Sequence, residues 1–100
     1  MTTRHEPGGV SVYPYPARRG EFVTICYNGL LKNSGADQVY LHSGYGSLWR
    51  DDQYLRMQRT NMGWEKTMVV DKSDVMHFCF KDSANNWDNN AGLNWSVTVH

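Results

Sequence analysis

Glu21-Phe22-Val23-Thr24-Ile25-Cys26-Tyr27 alternates strictly, with Val23, Ile25 and Tyr27 on one side and Phe22, Thr24 and Cys26 on the other. Period-two order in β-branched and aromatic residues describes a strand with one face on a core, because a helix would scatter these apolar groups around its circumference. Val75 to Phe80 repeats the pattern with Met76, Phe78 and Phe80 together. In the last segment Leu93, Trp95, Val97 and Val99 alternate with Asn94, Ser96 and Thr98.

Weaker segments fill the interval. Gln38 to His42 places Val39 and Leu41 inward and Tyr40 and His42 outward, and Gly44 and Gly46 then interrupt the pattern. Tyr54 to Thr60 reads as one strand with Leu55, Met57 and Arg59 on a face. Asn61-Met62-Gly63 turns into Trp64 to Val70. Val10 to Tyr13 is a short strand stopped by Pro14 and Pro16, which predicts a sheet edge, since proline cannot donate to a ladder. Residues 1–8 read as a flexible lead-in, and residues 29–37 as a loop. Short strands at this spacing, with no helical stripe, predict an all-β antiparallel sandwich of about seven to nine strands, because a single sheet would leave an apolar face uncovered. With 100 residues the chain is one domain, 1–100.

Composition narrows the partners. Ten basic residues balance ten acidic ones, so nothing rewards a phosphate backbone or an anionic bilayer, and neither nucleic acid nor membrane is expected. Arg18-Arg19 is the one adjacent basic pair and fits a solvated loop. No apolar run approaches the ~20 residues of a membrane span, and the N-terminus lacks the apolar core of a signal peptide. A complete chain of this kind is expected in the cytoplasm; a module excised from a larger secreted protein would be extracellular. Cys26 and Cys79 both fall inside strands and read as free buried thiols, with no His or second Cys at metal-ligand spacing, so no cofactor or metal is expected.

Four Trp and six Tyr are many for a domain of this size, so some ring faces should be exposed. Trp64 and Trp95 lie in strand patterns and belong to the core. Trp87 does not. Residues 82–94 surround it with five Asn and two Asp, turn formers that also donate and accept hydrogen bonds from one short side chain. A ring among such groups suits a sugar, whose C–H face packs on an aromatic while its hydroxyls need polar partners. A second cluster, His42-Ser43-Gly44-Tyr45-Gly46-Ser47-Leu48-Trp49, lets the glycines turn the backbone and bring Trp49 beside the face of His42, with Tyr45 as a further candidate.

Catalysis fits poorly. Asp82 and Asp88 flank Trp87, but nothing points to the cleft in which paired carboxylates cleave glycosides. There is no Gly-x-Ser-x-Gly elbow, P-loop or His-Glu-x-x-His. A non-enzymatic rival to sugar binding is a protein-interaction adaptor anchored by Trp49 and Trp87.

Tyr-Asn-Gly-Leu-Leu (27–31), Val-Tyr-Leu-His (39–42), the glycines before Trp49, and Asn-Asn-Trp-Asp-Asn-Asn (85–90) together resemble the starch-binding carbohydrate-binding modules of family twenty-five and the related family fifty-three. The resemblance extends from about residue 9 to residue 99. It implies an immunoglobulin-like sandwich that binds α-1,4- and α-1,6-linked glucans, such as starch, glycogen and maltooligosaccharides, without cleaving them, in company with a glucan-active enzyme. It also implies that His42, Trp49 and Trp87 form the stacking surface and that Asn89 or Asn90 bonds hydroxyls.

Overall fold

The computed structural model describes residues 2–100. Ten strands and one short helix follow one another as β1 (Thr2–Glu6), β2 (Val10–Tyr15), β3 (Phe22–Tyr27), α1 (Leu30–Asn33), β4 (Val39–Tyr45), β5 (Arg50–Arg56), β6 (Gln58–Thr60), β7 (Gly63–Val69), β8 (Val75–Asp82), β9 (Trp87–Asp88) and β10 (Trp95–Thr98). One sheet has the order β1-β2-β3-β7-β6. The other has the order β10-β8-β4-β5, with β9 paired to β8. Every strand pairing is antiparallel. The chain is therefore an all-β sandwich.

The alternating residues meet between the sheets. Val23, Ile25 and Tyr27 from β3, Val39 and Leu41 from β4, and Met76, Phe78 and Phe80 from β8 are all buried. Tyr27 stacks on Phe80 across the interface, with centroids 4.1 Å apart, and Trp95 closes on Phe78 and Phe80. Trp64 and Trp95 are both core residues, as their strand patterns predict. Cys26 and Cys79 are free thiols.

Five local readings change. Residues 2–6, expected within a flexible lead-in, form β1 and pair with β2, so the strand after Gly9 is not an edge and continues through Pro14. Thr2 to His5 are all exposed, so β1 has no buried face whose alternation could announce it. The expected strand 54–60 is two strands in different sheets: Met57 is buried at the crossing, where its N–H donates to the Val39 carbonyl, and Arg59 ends up exposed. The loop 29–37 contains α1, which buries Leu31. Leu93 is 80% exposed, in the turn before β10. Finally, β4 does not stop at the glycines but runs to Tyr45.

Candidate functional site

The outer face of the second sheet carries a group of aromatic residues that the core does not use. Register sets the layout. His42 on β4 lies opposite Tyr54 on β5 and Cys79 on β8. One row along, Tyr40 faces Arg56 on one side and Lys81 on the other, and Lys81 in turn faces Trp87 on β9. In the opposite direction Gly44 faces His77.

Gly44 explains how Trp49 reaches this face. A Cβ at position 44 would sit 2.8 Å from both Cα and Cβ of Trp49, so the missing side chain is what lets the 46–49 turn lie down on the sheet. The turn closes with the Trp49 N–H donating to the Gly46 carbonyl at 3.1 Å, with Trp49 itself in the left-handed region (φ 52°). The β4–β5 register slips between Ser43 and Tyr45, which accommodates the turn.

Trp49 thus leans on His42, centroids 4.9 Å apart and planes 33° apart, and continues to His77 at 6.0 Å. On the same imidazole Tyr54 lies almost parallel, at 4.2 Å and 2°. Trp87 meets both edge-on, 5.9 Å from His42 and 6.4 Å from Tyr54. Lys81 extends its ammonium over the Tyr54 and Trp87 rings, at 5.4 and 5.5 Å from their centroids, and donates to Asn85 Oδ1 at 3.2 Å. The result is an aromatic strip with Trp87 standing across one end.

His42 is the middle of this strip and is largely covered. Its side chain is 17% exposed, with Nε2 3.0 Å from Asp52 Oδ2 and Nδ1 3.9 Å from Cys79 Sγ. The open surfaces belong to its neighbours, Tyr54 at 55% and Trp87 at 44% exposure. Beneath His42, burial first and then the charge of Asp88 push the Cys79 thiol up to about 11, so it is a neutral floor.

The Trp87 loop is built by its acids and amides. Asp82 accepts from the backbone N–H groups of Ala84 and Asn86 through Oδ1 and from Asn86 Nδ2 through Oδ2. The side-chain bond from Asn86 is the main reason its carboxyl is held below the ordinary range. At the far end the Tyr27 hydroxyl donates to Asp88 Oδ2 and accepts the Leu31 N–H, tying the loop and α1 to one buried ring. Burial, and next this bond to Asp88, raise the tyrosine's pKa. Asn85, Asn90 and Asn94 occupy left-handed conformations, which asparagine tolerates better than most residues.

Of the sequence candidates, His42, Trp49 and Trp87 come together. Tyr45 does not: it is 2% exposed, and its hydroxyl accepts the Asp71 N–H inside the domain. Asn89 Oδ1 accepts the Gly92 N–H, and Asn90 Nδ2 donates to the Asn94 carbonyl, so both amides shape the loop. Tyr54 and Lys81 were not among the candidates. An outward tyrosine or lysine in a strand looks ordinary until the register puts it beside His42 or Trp87. Among the described residues no group of three or more His, Cys, Asp or Glu is placed to hold a metal ion.

No curated protein sequence matches the chain. A solved structure similar in fold is the crystal structure of the Br derivative of BhCBM56, which aligns over 98% of this chain and 99% of that one with a TM-score of 0.56 and 16% identity. The family model described as starch/carbohydrate-binding module (family 53) matches residues 23–78, from β3 through His42, Trp49 and Tyr54 into β8. The chain therefore belongs to the starch/carbohydrate-binding modules of family 53.

Proposed function

We propose that the chain binds α-glucan chains, α-1,4-linked with α-1,6 branches, and does not cleave them. The observation that supports this best is the exposed pair Trp87 and Tyr54, set at 66° to one another at one end of the Trp49–His42 strip. A flat face on each of two inclined rings suits a polymer that turns from one sugar to the next, as an α-linked glucan does. In this reading Trp87 and Tyr54 stack on sugar faces, Trp49 flanks them, and His42 is the strut that holds Tyr54 and Trp49 upright. Lys81 donates to hydroxyls, because its ammonium has three N–H groups and, among the described residues, only Asn85 accepts from it. Asn89, exposed next to Trp87, supplies a further amide. Asn90 supports the loop. Such a module would hold a glucan-active enzyme, its own or a partner's, on the polymer.

Two rings and a few hydrogen bonds on an open face correspond to dissociation constants of roughly micromolar to millimolar, about −4 to −8 kcal/mol. Titrating maltooligosaccharides while following Trp fluorescence tests the proposal. Saturable quenching or enhancement that Trp87→Ala abolishes supports it. No response at millimolar ligand, with capture of protein and no retention on amylose or glycogen beads, would instead favour an adaptor.

A further inference from the structure

Tyr54 and Lys81 also belong to a second feature. Together with Tyr40, Asp82 and Ser83 they line a cleft of ≈ 260 Å³. Tyr40 is on the same outer face as His42 and two residues away along β4, a displacement of about 7 Å along a strand. The cleft therefore continues the aromatic strip instead of standing apart from it.

Its chemistry repeats that of the strip. Tyr40 and Tyr54 supply ring surface. Lys81 makes no ion pair among the described residues, so its N–H groups are available on the cleft side as well. Ser83 sits exposed at the turn and brings a hydroxyl that donates and accepts. Asp82 contributes rigidity and no charge-hungry site, because its oxygens are already bonded by Ala84 and Asn86. The wall is thus fixed by the same carboxylate that shapes the Trp87 loop.

We infer that this cleft is an additional subsite, which takes the glucosyl units of a glucan that run on past Tyr54, so that the module distinguishes long α-glucans from short oligosaccharides. This rests on the α-glucan reading of the Trp87–Tyr54 site. A short ligand fills that site alone; a longer one lays its continuing sugars against Tyr40, with hydroxyls on Lys81 and Ser83.

The test compares maltotriose with maltoheptaose by calorimetry on wild type and Tyr40→Ala. Longer ligands gain affinity trivially because they offer more binding registers, but that factor is identical for both proteins. The expected result is a wild-type-to-variant affinity ratio near one for maltotriose and about five for maltoheptaose, the size of one lost aromatic contact. On wild-type protein, the amide resonances of Tyr40 and Ser83 should shift with maltoheptaose and stay in place with maltotriose, a readout that does not depend on the variant folding. Equal ratios for both ligands, or unmoved Tyr40 and Ser83 amides at saturation with maltoheptaose, overturn the subsite while leaving α-glucan binding intact. Absence of binding by either ligand overturns both.

Discussion

The imidazole of His42 and the phenol of Tyr54 lie parallel within 2°, their centroids 4.2 Å apart. The contact fixes two things. It holds the tyrosine upright on an edge strand, where it would otherwise be free to rotate, and it removes one face of the histidine from solvent. Stacking surface that a histidine could offer is thereby transferred to its neighbour. The 3.0 Å contact of His42 Nε2 with the Asp52 carboxylate and the 3.9 Å contact of its Nδ1 with the Cys79 thiol keep the imidazole in that supporting orientation.

Tyr54→Ala should therefore weaken glucan binding about 5- to 20-fold, the effect of one ring contact and some loss of order in His42. Tyr54→Phe should bind within about twofold of wild type, since the ring and not the hydroxyl does the stacking. Calorimetry with maltoheptaose measures both. Full affinity in the alanine variant would show that His42 stacks on sugar itself.

Gly44→Ala adds a methyl group where the backbone of Trp49 already stands, 2.8 Å from its Cα. The contact is with main chain, which cannot rotate away, so the 46–49 turn must lift. The expected cost is about 1–3 kcal/mol in a urea titration, accompanied by a red shift of Trp fluorescence as Trp49 leaves His42. An unchanged midpoint and spectrum would mean that the turn yields without strain.

Much of this architecture can be read from the chain, and the exceptions share a cause. Alternation in β3, β4 and β8 announces which residues meet in the core, because one buried face imposes period two on the sequence. Met57 defeats that reading: alternation continues from Leu55 through Met57 while the strand changes sheets, and nothing in a periodicity says which sheet a residue belongs to. Tyr45 could have been found. Val39, Leu41 and Ser43 are inward, so an unbroken count puts Tyr45 inward too, and the flanking glycines conceal it by resembling a strand end. At the site, Trp87 and Trp49 stand out as large rings among turn formers. Tyr54 gains its meaning only from the cross-strand pair with His42, and pairing is a property of the fold.

Cys79 supplies a chemical check on the sealed floor of the strip. It is 5% exposed and its thiol is pushed up to about 11, chiefly by burial. In a Cys26→Ser background the native protein should resist a disulfide-exchange reagent at pH 8 and react fully after denaturation. Prompt labelling of the native variant would mean that His42 and its neighbours open readily, and that the strip is far looser than its packing implies.

Asp82 sets the acid limit of the Trp87 loop. Its carboxyl is held below the ordinary carboxylate range, first by the side-chain bond from Asn86 and then by the Asn86 backbone N–H. A depressed native value means that the unfolded chain takes up this proton before the folded one does. The stabilisation is therefore complete above the unfolded value, and it is lost as pH falls through the lower folded value. Asp82→Asn would turn an amide toward the Asn86 amide, donor against donor, and so imitates part of what protonation does. The variant should be less stable than wild type at neutral pH, with the gap in urea midpoint closing below about pH 4. Glucan binding should follow the same course, because Lys81, Asn85 and Trp87 hang on this turn. A stability gap that stays constant from pH 7 to pH 3 would show that the carboxylate's charge contributes nothing to the loop, and that the substitution acts through packing alone.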